Sequence, residues 1–152
     1  MKEALKQAVT ALEKGEVPIG AVVVHENKII ARAHNQMETL HDPTAHAEMI
    51  ALTQAAETLS HAKANHRGSL EGATLYATVE PCVMCAGALV ITKCTNLVYG
   101  LLDAKAGGCA SLYKITQDDR LNHRLKVHGN VMSEDSKLLM QEFFRGLRRE
   151  KR

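Results

Sequence analysis

Aromatic residues are scarce in this sequence, which has three tyrosines, two phenylalanines and no tryptophan among 152 residues, or 3% of the chain. Proteins that hold long stretches of single-stranded nucleic acid stack successive bases on aromatic side chains. The composition therefore disfavours an extended stacking platform, although it is compatible with a site that engages only a few nucleotides.

Long apolar runs are also missing. No stretch approaches the roughly 18 consecutive apolar residues of a membrane-spanning helix. The opening segment KEALKQAVTALEKG is amphipathic and lacks the continuous apolar centre of a signal peptide. We therefore expect a soluble, cytoplasmic protein without a membrane partner. In that setting its four cysteines are expected to be metal ligands or buried thiols rather than disulfides.

Charge of one sign does not dominate. The formal net charge is +2 and the pI is about 8.4, below the pI above about 9 that is typical of strongly nucleic-acid-binding domains. The final segment RGLRREKR does concentrate five basic residues against one acid. Such a cluster suits the solvated end of a helix as well as contacts to phosphates, so bulk charge does not identify a partner.

The chain has the length of one domain, and no internal repeat, low-complexity segment or linker divides residues 1–152. Apolar spacing and turn residues predict the element order α-β-β-α-β-α-β-(α)-β-α. Strand–helix–strand units indicate parallel neighbours, and the first two strands form an antiparallel hairpin. The sequence therefore predicts an α/β protein with a mixed five-stranded sheet and helices on both faces.

Turn and cap residues set the expected element boundaries. The tripeptide ENK at 26–28 is predicted to be the hairpin turn. One helix is expected to begin at Pro43 and another at Pro81, because proline suits the first position of a helix. The polar stretch over 61–72 is predicted to be a loop, and residues 133–150 are predicted to form a capped terminal helix.

Two cysteines, Cys82 and Cys85, stand three positions apart directly after a proline. At this spacing their side chains share one face of a helix, and the helix N-terminus stabilises thiolates. By itself the pair fits a disulfide switch, half of a structural metal site or part of a catalytic metal site. The choice depends on which other residues of the chain reach the metal.

The segment HAE supplies the other candidates, His46 and Glu48. Alone, His46 is most simply a surface or hydrogen-bonded residue, and Glu48 a solvated helix residue. HAE and PCVMC, however, both lie where the chain enters a helix, and such crossings form the functional crevice of open α/β sheets. His46, Cys82 and Cys85 then give three ligands and leave a fourth position for water, as in catalytic rather than structural zinc sites.

Glu48 lies two residues past the histidine, near the metal without binding it. There a carboxylate can take a proton from zinc-activated water and return it to a substrate. The arrangement matches the known H-x-E…P-C-x-x-C signature of zinc-dependent nucleobase deaminases. We therefore predict a catalytic zinc ion with Glu48 as general acid and base.

Around these motifs the sequence resembles the bacterial tRNA-specific adenosine deaminases, within the zinc-dependent cytidine/deoxycytidylate deaminase superfamily. The resemblance covers nearly the whole chain. HAE and PCxxC are shared by the wider superfamily. More discriminating are three later segments, DAKAGGCASL at 103–112, NHR at 122–124 and FFR at 143–145.

The resemblance implies a three-layer α/β/α cytidine-deaminase-like fold, a homodimer with one zinc ion per subunit, and hydrolysis of adenosine to inosine at the wobble position of a tRNA anticodon. It implies that Asn35 contacts the base and that Ile19 lies in its pocket. The residues that it implies near the flanking anticodon nucleotides are Asp103, Lys105, Asn122, His123, Phe143, Phe144 and Arg145. The two phenylalanines are alternatively core residues of the last helix, and the asparagine alternatively caps a turn.

Two other functions share parts of the predicted site. A deaminase of free cytosine, cytidine or guanine would have the same zinc, glutamate and fold. DAKAG, NHR and the basic end favour tRNA, because phosphate contacts need cations. A non-catalytic zinc RNA-binding module is disfavoured by Glu48 and by the open fourth metal position. We therefore expect a tRNA anticodon loop as the partner.

Overall fold

A computed structural model of the chain describes residues 1–62 and 67–150. In chain order its elements are α1 (Lys2–Glu13), β1 (Gly20–His25), β2 (Lys28–His34), α2 (Met37–Leu40), α3 (Ala47–Ala62), β3 (Thr74–Val79), α4 (Val83–Ile91), β4 (Asn96–Leu101), a 3₁₀ turn (Ile115–Gln117), β5 (Lys126–His128) and α5 (Ser133–Glu150). The predicted order is confirmed, with the single-turn helix α2 as an addition. Among the described helices, none combines the length and apolar character needed to cross a membrane.

The five strands form one sheet in the order β2-β1-β3-β4-β5. β1 is antiparallel to both β2 and β3, whereas β3, β4 and β5 are parallel to one another. The hairpin turn is Glu26-Asn27, whose φ angles of 49° and 60° are the left-handed pair that a two-residue hairpin turn requires. Lys28 already belongs to β2, so the turn is one residue shorter than predicted.

Helices cover both faces of the sheet. α1 and α5 pack together against one face, and α3 packs on the other, beside α4. The main core lies under α3 and α4, where Leu75, Leu89 and Leu97 are fully buried. The predicted three-layer α/β/α arrangement is therefore confirmed.

α1 lies unusually close to the sheet because its inner face carries only alanines, Ala4, Ala8 and Ala11, all fully buried. Beneath them β1 begins at Gly20. A Cβ atom at this position would collide with the backbone of α1 at Ala4 and Ala8. Small residues on both sides therefore fix the distance between helix and sheet.

Two helices begin later than predicted. α3 begins at Ala47 and not at Pro43, because Asp42 accepts hydrogen bonds from the backbone N–H and hydroxyl of Thr44 at 2.8 and 2.7 Å, which closes a separate turn. α4 begins at Val83, two residues after Pro81. Both starts thus place a predicted metal ligand immediately before the first helical residue.

The predicted loop over 61–72 is also shorter than expected, since α3 continues to Ala62. Residues 63–66 of that loop lie outside the described residues. The terminal helix spans residues 133–150, as predicted.

We expect Gly20→Ala to lower the free energy of unfolding by about 2–3 kcal/mol, because the added methyl group overpacks the junction of α1 and β1. Urea unfolding followed by circular dichroism measures this change. Gly146→Ala is the matched control: a Cβ there meets no atom within 4 Å, so a helical alanine should add roughly 0.5–1 kcal/mol. An unchanged midpoint for Gly20→Ala would contradict the packing described.

Candidate active site

One edge of the sheet collects the ends of four strands. β1 begins at this edge, the antiparallel β2 and β3 end there, and β4, parallel to β3, ends there too. Ile19, Asn35 and Glu80 directly adjoin three of these ends, and Asp103 lies two residues past the end of β4. The sheet topology therefore brings together segments that are up to 84 positions apart along the chain.

The three predicted metal ligands meet at this edge. The ligand atoms of His46, Cys82 and Cys85 all lie within 4.8 Å of one another. The Nδ1 atom of His46 is 3.6 Å from each cysteine Sγ. A tetrahedral zinc ion with bonds of about 2.3 Å to sulfur and about 2.0–2.1 Å to nitrogen requires a sulfur–nitrogen separation of roughly 3.6 Å. The cluster therefore has the spacing of a zinc site.

Helix starts hold the ligands in place. Cys82 is the N-cap of α4 and Cys85 lies in its first turn, while His46 immediately precedes α3. Two sulfur atoms and one imidazole are a donor set that suits zinc and does not suit calcium or magnesium, which prefer oxygen. Because His46 and Cys82 are only half-buried, the cluster is accessible from the surface.

The thiols of Cys82 and Cys85 are joined by a hydrogen bond. A hydrogen bond from Cys85, assisted by His46, lowers the pKa of Cys82 to about 4 against the opposing effect of burial. The same contact, together with burial, raises the pKa of Cys85. The cluster therefore contains a thiolate at neutral pH, and the thiolate is the form in which cysteine binds a metal.

Glu48 lies in the first turn of α3 and is only 3% exposed. Burial raises the pKa of its carboxyl to about 7. Its Oε2 atom is buried, and no described residue supplies a hydrogen bond to it. A buried carboxylate oxygen without a partner is costly, and this one adjoins the metal ligands. Glu48 therefore has the buried position and the raised pKa that the predicted general acid and base requires, and its catalytic role stays a prediction.

The two predicted base-binding residues lie next to each other. The backbone N–H of Asn35 donates to the carbonyl of Ile19 at 3.0 Å, and the next residue, Gln36, donates to the carbonyl of Ala45 at 3.0 Å. This second bond ties the segment to the residue before His46. Asn35 is 3% exposed. Their contacts to a base stay predictions, but both residues stand at the edge that holds the metal ligands.

Two buried carboxylates at this edge were not singled out from the sequence. Glu16 is fully buried and accepts hydrogen bonds from the backbone N–H groups of Glu38 and Thr39 at 3.1 and 2.7 Å. Burial raises the pKa of Glu16. The hydrogen bonds together lower it by more than burial raises it, so the pKa lies below its ordinary value. Glu16 thereby caps α2 through residues 22 and 23 positions further along the chain. Glu80, the second, directly precedes PCVMC, and that position was the only sequence signal for it.

Asp103 and Lys105 lie in the turn after β4. Asp103 accepts hydrogen bonds from the backbone N–H groups of Lys105 and Ala106 at 3.0 and 3.2 Å, so its carboxylate shapes its own turn. The side chain of Lys105 is exposed. Their predicted RNA contacts are untested, but the turn follows β4 at the edge that holds the metal ligands.

Asn122 and His123 lie at the other edge of the sheet. They precede β5, whose first residue pairs with Asn96 at the start of β4, and His123 Nε2 is 2.6 Å from the carbonyl oxygen of Cys94. The length of β4 separates this edge from the metal ligands by roughly 17 Å, at 3.3 Å per residue. Within one chain these two residues are thus not part of the cluster, and their role in RNA binding stays a prediction.

Phe143, Phe144 and Arg145 lie in the second half of α5. The two rings pack edge to face with centroids 5.4 Å apart. Phe144 is 45% exposed, Phe143 is partly exposed, and neither belongs to the core. Their assignment as core residues is therefore wrong for the chain as described. Contact with RNA stays a prediction for all three.

Comparison with known proteins identifies the family. The model of the MafB19-like deaminases matches residues 1–148. The tRNA-specific adenosine deaminase of Bacillus subtilis strain 168 is 46% identical over 152 residues, which cover 100% of this chain and 91% of that protein. The chain belongs to the tRNA-specific adenosine deaminase family. The family predicted from HAE, PCVMC and DAKAG is thus confirmed, and the chain is an enzyme with deaminase chemistry.

Solved structures confirm the fold. A structure from a study of A-to-I editing by tRNA:A34 deaminases at the wobble position of transfer RNA superposes with a TM-score of 0.84 and 37% identity, covering 91% of this chain and 96% of that one. A guanine deaminase from Bacillus subtilis gives a TM-score of 0.60 and 34% identity over 66% of this chain and 61% of that one. The chain thus also resembles a deaminase of a purine base, but that similarity covers less of the chain than the similarity to the tRNA:A34 deaminase structure.

We expect Cys85→Ala to reduce bound zinc from one ion to less than about a tenth of an ion per chain, because two remaining ligands do not hold the ion. Inductively coupled plasma mass spectrometry after dialysis against a weak chelator measures the metal. Cys94→Ala is the control: that thiol is also buried, but it contacts the carbonyl of Ala73 and not the cluster. Full zinc content in Cys85→Ala, or a Cys82–Cys85 disulfide in active protein, would contradict the site.

Proposed function

We propose that this deaminase converts adenosine to inosine at the wobble position of a tRNA anticodon, with one zinc ion per subunit held by His46, Cys82 and Cys85. The observation that carries the proposal is the buried Oε2 atom of Glu48, which has no hydrogen-bond partner among the described residues and lies beside a cluster with tetrahedral spacing. A tRNA-modifying enzyme of this kind would work in the cytoplasm. The relatives named for tRNA and for A34 support this substrate over a free base.

The cluster would hold zinc through one nitrogen and two sulfurs, leaving one coordination position for water. In such a position zinc lowers the pKa of water to around 7. The N-terminus of α4, which carries Cys82 and Cys85, favours negative charge and would thus support both thiolates when a metal is bound.

Glu48 would move the protons of the reaction. It accepts the proton of the attacking water and delivers it to N1 of the adenine, while the water oxygen bonds to C6. It then carries the proton of the new C6 hydroxyl to the amino group. The C6–N bond breaks as the C6=O bond forms, ammonia leaves, and N1 keeps its proton in the inosine product. Because burial raises the pKa of Glu48 to about 7, its carboxyl can both take and give a proton near neutral pH.

A splayed anticodon loop suits the surface position of the site. A base paired in a duplex cannot reach such a cluster, whereas single-stranded loops can turn a base outward. Asn35 would contact the turned-out base and Ile19 would line its pocket. The exposed cation of Lys105, on the turn after β4, is available to the phosphates of neighbouring nucleotides.

We expect zinc-loaded enzyme to produce inosine from a stem-loop with adenosine at the wobble position, and little or no uridine or xanthine from free cytidine or guanine. Glu48→Gln is the matched control, since it keeps the side-chain shape but cannot take a proton. It should retain zinc and lose a factor of about 10²–10⁴ in turnover. Liquid chromatography with mass spectrometry detects the products.

If product forms from free guanine or cytidine and none forms from the stem-loop, the tRNA assignment is wrong and the enzyme is a deaminase of free bases or nucleosides. Substantial turnover by zinc-loaded Glu48→Gln would remove the role given to that residue.

We propose further that the enzyme is a homodimer that buries the outer face of α4. What supports this surface is a pair of exposed apolar residues about two helical turns apart, Val83 at 47% and Ile91 at 81% exposure, with the partly exposed Gly87 between them. The pair begins next to Cys82. Exposed apolar side chains on one helix face suit an interface with a second copy of the chain.

Ile91→Glu should therefore change the mass in solution from twice the chain mass to the 16.6 kDa of one chain, because it places a charge in the apolar interface. Multi-angle light scattering measures this mass. Leu138→Glu is the control, since that leucine is 60% exposed on α5 and should leave the dimer intact. A monomeric wild-type chain would contradict this surface.

A further inference from the structure

We propose that Glu80 is a positioning residue, whose buried carboxylate fixes the segment 103–111 against the metal-binding turn so that this segment meets the RNA in one preformed conformation. The inference rests on the proposed function and deepens it. It assigns to the glutamate before PCVMC a role in substrate binding that is separate from the chemistry of Glu48.

The carboxylate of Glu80 is the centre of a hydrogen-bond network. The residue is 2% exposed. Its Oε1 atom accepts from the backbone N–H groups of Cys109, Ala110 and Ser111 at 3.2, 2.7 and 2.8 Å. Its Oε2 atom accepts from the N–H of Asp103 at 3.0 Å and from the hydroxyl of Ser111. One side chain thus joins both ends of the segment.

The segment is built to enclose this carboxylate. Gly107 passes so close to Glu80 that a Cβ atom there would collide with the carboxylate. The neighbouring Gly108 donates its N–H to the carbonyl of Pro81 at 2.8 Å, and Cys82 forms an isolated β-bridge with Gly107. The segment therefore rests directly on the turn that presents Cys82.

The hydrogen bonds also distinguish Glu80 from a catalytic carboxylate. Both of its oxygens are occupied by groups of the protein, whereas Oε2 of Glu48 has no partner among the described residues. A charged group held by five donors has no free position for a substrate, and it acts through the segment that it orders.

Loss of the Glu80 carboxylate would change the turn of Asp103 and Lys105. Backbone N–H groups are fixed, strong donors, and without the carboxylate those of residues 103 and 109–111 lose their acceptor inside the protein. The turn would then have several conformations, and only one of them matches the bound RNA. Binding would pay the ordering entropy each time, so affinity would fall while the reacting groups stay in place.

Glu80→Gln is the direct test, because it keeps the size of the side chain and removes its charge and one acceptor. We expect amide hydrogen exchange at residues 103 and 109–111 to accelerate by about tenfold or more, and KM for the anticodon stem-loop to rise by a similar factor, since hydrogen bonds to charged groups contribute at this level. The kcat should stay within about threefold, and zinc should remain at one ion per chain.

Two further variants complete the test, one with a smaller expected effect and one as a control. Ser111→Ala removes only the hydroxyl donor to Oε2 and should shift exchange and KM in the same direction by a smaller factor, even if Glu80→Gln does not fold. Glu71→Gln changes an exposed carboxylate that precedes β3, at the other edge of the sheet, and should change neither quantity.

Unchanged exchange at 103 and 109–111 in Glu80→Gln and Ser111→Ala would overturn the proposal. So would a loss of zinc together with kcat, since Glu80 would then support the metal turn and not the segment. If the wild-type enzyme neither binds nor deaminates the stem-loop, the proposed function fails, whereas the exchange data still decide whether Glu80 orders the segment.

Discussion

The structure depends on the convergence of two helix starts at one edge of the sheet. α3 follows the hairpin of β1 and β2, and α4 follows β3, whose end lies beside the start of β1. This topology brings His46 within 3.6 Å of both cysteine sulfurs. The separation equals that of a tetrahedral zinc site, so the backbone itself sets the ligand geometry. Glu48 is the second residue of α3 and is buried where this helix packs on the sheet.

Around this centre, buried carboxylates organise the flanking loops. Glu16 caps the single-turn helix α2, and Glu80 holds the segment after β4. Each binds backbone N–H groups at least 20 positions away along the chain, and each stays ionised although it is buried. Glu48 is the contrasting case, since its buried Oε2 atom has no hydrogen-bond partner in the described part of the chain. The three buried glutamates thus differ in their hydrogen bonds: backbone N–H groups donate to Glu16 and Glu80, whereas the proposed role of Glu48 uses the oxygen that they leave free.

The sequence predicted the elements and the chemistry better than the connections between them. Apolar periodicity and local turn residues place all five strands, because those signals are local. The motifs HAE and PCVMC predict three ligands, whose side chains do come together, and the roles of these residues and of Glu48 stay predictions. The helix starts at Ala47 and Val83 were displaced by side-chain bonds of Asp42 and by the extended backbone of Cys82. The roles of Glu16 and Glu80 were invisible because their partners are distant in sequence. The opposite-edge position of His123 likewise follows only from the pairing of β4 with β5.

The most direct test of the whole account is to deaminate a full-length tRNA that carries adenosine at the wobble position in water enriched in ¹⁸O, and to map the product by mass spectrometry of nuclease fragments. The account predicts inosine at the wobble position, with one ¹⁸O atom at C6 and adenosine retained at the other positions. Inosine distributed over many adenosines, inosine without ¹⁸O, or conversion of free guanine with no change in the tRNA would contradict it.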